Sequence, residues 1–161
     1  MHSAGELCAI FSPAVNSYKR INAPITASGA TWSPNTVTYS GNNRTHMVRV
    51  PEAGRFEFRL MDGSAHPYLM QAALLAAGLD GIENASDPGP ELVGNAYAAG
   101  EAESFPSSLR EAVAGWESSE FAKRVFGSAV WQHYLNYGRT EQRLFDEVVT
   151  DYERARMFER G

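Results

Sequence analysis

Residues Arg55 to Leu60 alternate charged and apolar side chains without a break: Arg, Phe, Glu, Phe, Arg, Leu. Successive side chains on a strand point to opposite faces, so Arg55, Glu57 and Arg59 share one face while Phe56, Phe58 and Leu60 share the other. The aromatic face must pack on a core. Just before it, Pro51-Glu52-Ala53-Gly54 makes a four-residue hairpin loop, and Thr45 to Val50 supplies the partner strand. Thr36 to Ser40 is a third, β-branched strand that ends at the turn-like Gly41-Asn42-Asn43.

The flanks obey other rules. Pro13, Pro24, Pro34 and Gly29 punctuate residues 1–34, which are expected to be irregular. Pro67 to Leu79 is Ala/Leu-rich, with Pro67 suited to a first helical turn and Gly78 and Gly81 near its end. Asp87-Pro88-Gly89-Pro90 is a firm break. After it, Leu109, Val113 and Trp116 recur at helical spacing, followed by predicted helices over Phe121 to Tyr137 and Thr140 to Phe158, divided near Gly138. Antiparallel strands followed by helices define an α+β fold. Residues 1–161 are expected to form one domain or a piece of one, with the strands and first helix in 1–82 and a helical region in 83–161.

Charge is unevenly spread. Residues 1–59 hold six Lys/Arg against three acids, and the rest holds eight against sixteen, within a net charge of −5. A basic first third points to an anion site there. An acidic whole argues against a nucleic-acid partner. No apolar run approaches the ~18 residues of a membrane span. The one cysteine, Cys8, sits in an apolar stretch and reads as a packed thiol in a reducing cytoplasm. Four histidines without metal-ligand spacing offer no zinc site.

The charged face of Arg55 to Leu60 carries chemistry. Guanidiniums grip carboxylate or phosphate with a bidentate fork. A carboxylate between two of them can hold a hard cation such as Mg²⁺. Together these are what phosphoryl transfer to a carboxylate requires. The same pattern also describes a solvent-facing strand with cross-strand ion pairs. Arg20, Arg44 and Arg49 bring the arginines within forty residues to five, in the segment poorest in acids.

The motifs Asn16-Ser17-Tyr18-Lys19-Arg20, Asn43-Arg44, Arg49-Val50-Pro51, Arg55-Phe56-Glu57-Phe58-Arg59, Asp62, His66-Pro67-Tyr68-Leu69 and Ala76-Ala77-Gly78-Leu79-Asp80-Gly81-Ile82 follow one another from about Ala4 to Ile82. In that order and spacing the chain resembles the C-terminal part of a glutamine synthetase. From Thr26 to Val50 it is most similar to the bacterial type III branch, which includes γ-glutamylmethylamide synthetase. The resemblance implies ATP-dependent ligation of glutamate to ammonia through γ-glutamyl phosphate, in a cytoplasmic enzyme that is a large homo-oligomer. It implies that Arg20, Arg44 and Arg59 bind glutamate, with Arg44 and Arg59 at the transferring phosphate and the γ-carboxylate. It implies that Arg44, Arg49 and Arg55 bind ATP, and that Glu57 ligates Mg²⁺ or Mn²⁺.

Three departures from the family pattern shape the expectation. The other metal carboxylates and the metal histidine of the family have no counterpart here, so the chain is expected to be a fragment or a truncated, non-catalytic product. Ammonia-using relatives place a flap glutamate shortly after the position of Arg20, whereas here no acid occurs between Arg20 and Glu52 and the run reads Ile21-Asn22-Ala23-Pro24. That opens a primary amine as an alternative nucleophile to ammonia. The adenylylation tyrosine has only Tyr97 as a candidate.

A geometric conflict remains. With a simple four-residue loop, Arg49 falls opposite Phe56, on the apolar face, yet the family role needs it beside Glu57. One extra residue in a strand flips every side chain beyond it. An irregular pairing between Val50 and Gly54, next to Pro51, is therefore expected, with Arg49 and Glu57 converging on one face.

Overall fold

The computed structural model describes residues 1–23, 33–158 and 160. Pro24 and the run from Thr26 to Trp32, part of the stretch that carried the branch resemblance, lie outside them. Two short helices, α1 (Cys8–Phe11) and α2 (Val15–Ile21), occupy the segment expected to be irregular. All four residues of α1 are buried, so packing rather than helix propensity holds this single turn. Ser17 accepts the Ala14 N–H at 3.2 Å at the start of α2, and Lys19 and Arg20 complement the dipole of its last turn.

The sheet has three strands in the order β1 (Tyr39–Ser40), β2 (Val48–Glu52) and β3 (Arg55–Phe58). The β2–β3 hairpin is antiparallel, as its sequence predicts. β1 corrects the expectation, because it pairs parallel to β2, with Tyr39 opposite Val48. A two-residue strand needs little chain to climb back, so residues 41–47 suffice as the crossover. Thr36, expected on that strand, instead forms an isolated bridge to Ser104.

Helix α3 (Pro67–Glu83) opens on Pro67 and runs past the predicted end at Leu79. A 3₁₀ turn at Ala96–Ala98 precedes α4 (Leu109–Ser118), which Ser108 caps by accepting the Glu111 N–H. α5 (Glu120–Asp146) begins with Ser119 accepting from Ala122 N–H at 2.9 Å. α6 (Asp151–Phe158) follows. The expected division at Gly138 is not there. The helix runs through Gly138, and its backbone departs from helical angles at Gly127 instead (φ 72°, ψ 160°). That φ lies in the region glycine enters without steric cost. Gly138 is buried because α4 crosses there, and a Cβ on it would lie 2.5 Å from Val113 Cγ2.

One core joins these layers. Leu7, Ile10 and Phe11 of the N-terminal segment share it with Met47, Leu60 and Ala73 and with Leu109, Val113, Trp116 and Leu135. Trp116 and Trp131 lock α4 to α5 reciprocally, each indole N–H donating to the other's carbonyl at 3.0 Å. Of the apolar face of β3, Phe58 packs tilted against Phe11 with ring centroids 4.9 Å apart, and Leu60 is fully buried. Phe56 does not join them: it is 59% exposed, at the mouth of an apolar cavity of about 170 Å³.

Residues 87–105 strap across the outside of the 33–46 segment. Tyr39 Oη donates to Gly89 O (2.9 Å), and Ser40 Oγ and Gly41 N–H both donate to Glu91 Oε1 (2.9 Å each). Asn43 Nδ2 donates to Gly94 O at 2.6 Å. The buried His46 bridges Thr38 Oγ1 and Gly94 O, both at 3.1 Å. The strap thereby fixes the turn that precedes β2 from behind.

Candidate functional site

The hairpin carries the irregularity its sequence requires. Arg49 pairs with Glu57 and Glu52 with Arg55, so Val50 and Pro51 together oppose Phe56 alone. This two-against-one bulge turns Arg49 onto the face of Glu57. Arg49 Nη1 donates to Glu57 Oε2 at 2.6 Å, while Arg59 Nε lies 3.7 Å from Glu57 Oε1. Both arginine side chains are 16% exposed, so these are half-sheltered pairs rather than waving surface charges.

Arg59 also donates through Nη1 to the Arg44 carbonyl. That contact ties the end of β3 to the turn before β2. Arg20, from the last turn of α2, donates to Leu60 O at 3.1 Å and Arg59 O at 3.4 Å. Burial lowers the proton affinity of its guanidinium; the charge of Asp62 opposes that, and repulsion from Arg59 adds to it. Arg44 itself is exposed, within electrostatic reach of Glu57. The hydrogen bond from Arg49 holds the Glu57 carboxyl below its ordinary value, helped by the charges of Arg49, Arg59 and Arg44. Asp62 closes the neighbouring turn, accepting from Ser64 N–H at 2.8 Å.

Five of the six residues singled out in the sequence therefore gather: Arg20, Arg44, Arg49, Glu57 and Arg59. Arg55 does not. It is exposed and pairs with Glu52 at 3.3 Å, on the loop side of the bulge. One participant escaped the sequence reading. Asn42 Oδ1 accepts from both Arg49 Nε (2.9 Å) and Arg49 Nη2 (2.5 Å). Its only signal was its place in the Gly41-Asn42-Asn43 turn. Tyr97, the adenylylation candidate, donates to Ser33 O at 3.3 Å.

Glu57 does not make a divalent-cation site unaided. Its oxygens face two guanidiniums, and no group of three His, Cys, Asp or Glu side chains able to hold a metal occurs among the described residues. Mg²⁺ needs several oxygen ligands in octahedral array.

An α+β scaffold presenting three guanidiniums around one carboxylate gathers the kind of donors that grip an oxyanion, phosphate or carboxylate in particular. The family model for the catalytic domain of glutamine synthetase matches residues 1–157, and the chain belongs to that family. It is 49% identical over 158 residues to a glutamine synthetase of Rhizobium leguminosarum, covering 96% of this chain and 36% of that one. It is 42% identical to γ-glutamylethanolamide synthetase of Streptomyces coelicolor (96% and 33% covered) and 38% identical to glutamate–methylamine ligase of Methyloversatilis universalis (93% and 35%). A solved GmaS–ADP complex superposes with a TM-score of 0.90 at 50% identity, over 98% of this chain and 37% of that one. The chain thus spans about a third of the length of these relatives. No helix among the described residues is long and apolar enough to cross a membrane.

Proposed function

We propose that these residues supply the glutamate and ATP-phosphate half of a cytoplasmic, homo-oligomeric ligase that joins glutamate to ammonia through γ-glutamyl phosphate. The observation that carries this reading is the bulge that brings Arg49 to one oxygen of Glu57, whose other oxygen faces Arg59, two positions along the same strand face. A regular ladder would have sent Arg49 into the apolar face. In this reading Arg59 holds the γ-carboxylate under attack and Arg20 the α-carboxylate. Arg44 and Arg49 stabilise charge on the transferring phosphate. Such fixed donors work because they need no reorganisation as negative charge develops. Arg55, drawn to Glu52, is left with at most an outer contact to the nucleotide. Glu57 contributes one carboxylate toward Mg²⁺ or Mn²⁺, and the remaining ligands have to come from outside these residues.

A second reading, ligation of a primary amine, rests on the absence of any acid between Arg20 and Glu52. Deprotonating ammonium calls for a carboxylate near the nucleophile, whereas an alkylamine also gains from apolar contact. The similarity to methylamine and ethanolamine ligases supports it. By itself the chain is expected to show negligible ligase activity. The test is a chimera in which this chain replaces the matching third of the Rhizobium relative. ADP release would be followed with glutamate and ammonium, methylamine or ethanolamine. Turnover that collapses in Arg59→Ala supports the half-site, and the preferred amine decides between the readings. Full turnover in Arg59→Ala rejects it.

A further inference from the structure

Arg49 uses all three of its guanidinium nitrogens on two side chains from opposite sides. Glu57 takes Nη1, and Asn42 Oδ1 takes Nε and Nη2 together. Asn42 belongs to the turn between β1 and β2, and that turn is itself clamped from behind by Glu91 through Ser40 and Gly41. The asparagine oxygen is thus a held acceptor rather than a mobile one.

We infer that Asn42 is a positioning residue, which fixes the Arg49 guanidinium toward the anion site without cancelling its charge. The inference rests on the proposed half-site only for the identity of the anion. Its physical content is a division of labour between two acceptors. Glu57 already neutralises one of the three positive charges around it, those of Arg44, Arg49 and Arg59. A second carboxylate at position 42 would orient Arg49 equally well, because it offers the same oxygen. It would also reduce the net positive charge that draws in a polyanion. A neutral amide oxygen orients and leaves that charge in place. Asparagine suits the position on both counts, and its amide nitrogen takes no part in the contact.

The experiment separates orientation from charge with two variants of this chain, Asn42→Ala and Asn42→Asp. Orientation is read from the Arg49 Nε–H resonance, assigned by its loss in Arg49→Lys, and from its exchange with water. Anion capture is read by titrating tripolyphosphate, with ATP titrated separately. In the wild type the Nε–H is expected to exchange slowly and tripolyphosphate to bind. Asn42→Ala is expected to accelerate the exchange and weaken tripolyphosphate about tenfold, the scale of one charge-assisted bond. Asn42→Asp is expected to keep the slow exchange yet weaken the anion comparably. A merely structural asparagine would shift the melting temperature in both variants without this split. Unchanged Arg49 exchange in Asn42→Ala overturns the inference, as does failure of the wild type to bind tripolyphosphate. Binding of tripolyphosphate but not ATP leaves the inference standing and rejects the nucleotide reading.

Discussion

Replacing Gly138 by alanine tests the packing of α4 on α5, and its sign is not obvious. Alanine in place of glycine inside a helix is worth about 1 kcal/mol in favour of folding. Against that stands a new Cβ 2.5 Å from Val113 Cγ2, with Val113 Cβ and Cγ1 at 3.8 and 3.9 Å. Carbon atoms settle at ~3.5–4.0 Å, so the contact must open by about 1 Å. Val113 cannot swing aside cheaply, since a β-branched side chain in a helix is confined to one χ1 well and this one is buried. The helices cannot part freely either, because the two Trp116–Trp131 bonds span the same interface. Overpacking of this kind costs ~1–3 kcal/mol, and the steepness of the clash places it at the upper end. The net is a loss of about 1–2 kcal/mol, which lowers the melting temperature by roughly 2–8 °C in a chain of this size. Thermal unfolding followed by circular dichroism measures it. Gly78→Ala on α3, where nothing lies within 4 Å of the new Cβ, is the control and is expected to stabilise. Adding Val113→Ala to Gly138→Ala should cost less than Val113→Ala does in the wild type, a coupling that only a shared clash produces. A melting temperature for Gly138→Ala at or above that of the wild type would falsify the close approach.

Glu91 predicts an acid sensitivity. Its carboxyl is held below the ordinary 4.5 by the Gly41 N–H and then the Ser40 hydroxyl. A depressed carboxyl stabilises the fold above about pH 5, and that contribution fades as pH falls through the folded value. Glu91→Gln should flatten this limb of stability against pH, and identical limbs would show that the strap contact is not made in solution. Burial pushes the Cys8 thiol up to about 12. A disulfide reagent at pH 8 should therefore label it no faster than the chain unfolds, and immediate labelling of the native protein contradicts its burial. In the chimera, Arg59→Ala should lower kcat/KM for glutamate by ~2–5 kcal/mol, because it leaves its carboxylate partner unmatched. A change confined to ATP use would place Arg59 elsewhere.

The sheet region was legible because two sequence constraints collided there. Alternation put Arg49 on one face and the chemistry put it on the other, and only an extra residue beside Pro51 satisfies both. Charged side chains at strand spacing therefore exposed most of the site. The remainder depends on contacts that no local pattern encodes. α1 exists because all its residues are buried by α3 and α4. Gly138 looks like a helix terminator but is a crossing point with a valine twenty-five positions earlier. Phe56 alternates correctly yet stays exposed, since alternation names a face and not what covers it. Asn42 reads as turn chemistry, and only the fold shows its oxygen aimed at Arg49.

The strap also sets an order of events during synthesis. The contacts from Tyr39, Ser40, Gly41, Asn43 and His46 to residues 89–94 reach 48 to 51 positions along the chain. The β2–β3 hairpin, by contrast, closes over a handful of residues and forms on the microsecond scale. A ribosome adding ~5–20 residues per second needs several seconds to deliver the strap after the hairpin has emerged. During that interval Arg49 and Glu57 can already meet, while the turn bearing Asn42 and Arg44 has nothing behind it. The arginine cluster is thus completed from its carboxylate outward, and its last arginine waits for a stretch of chain about fifty positions downstream.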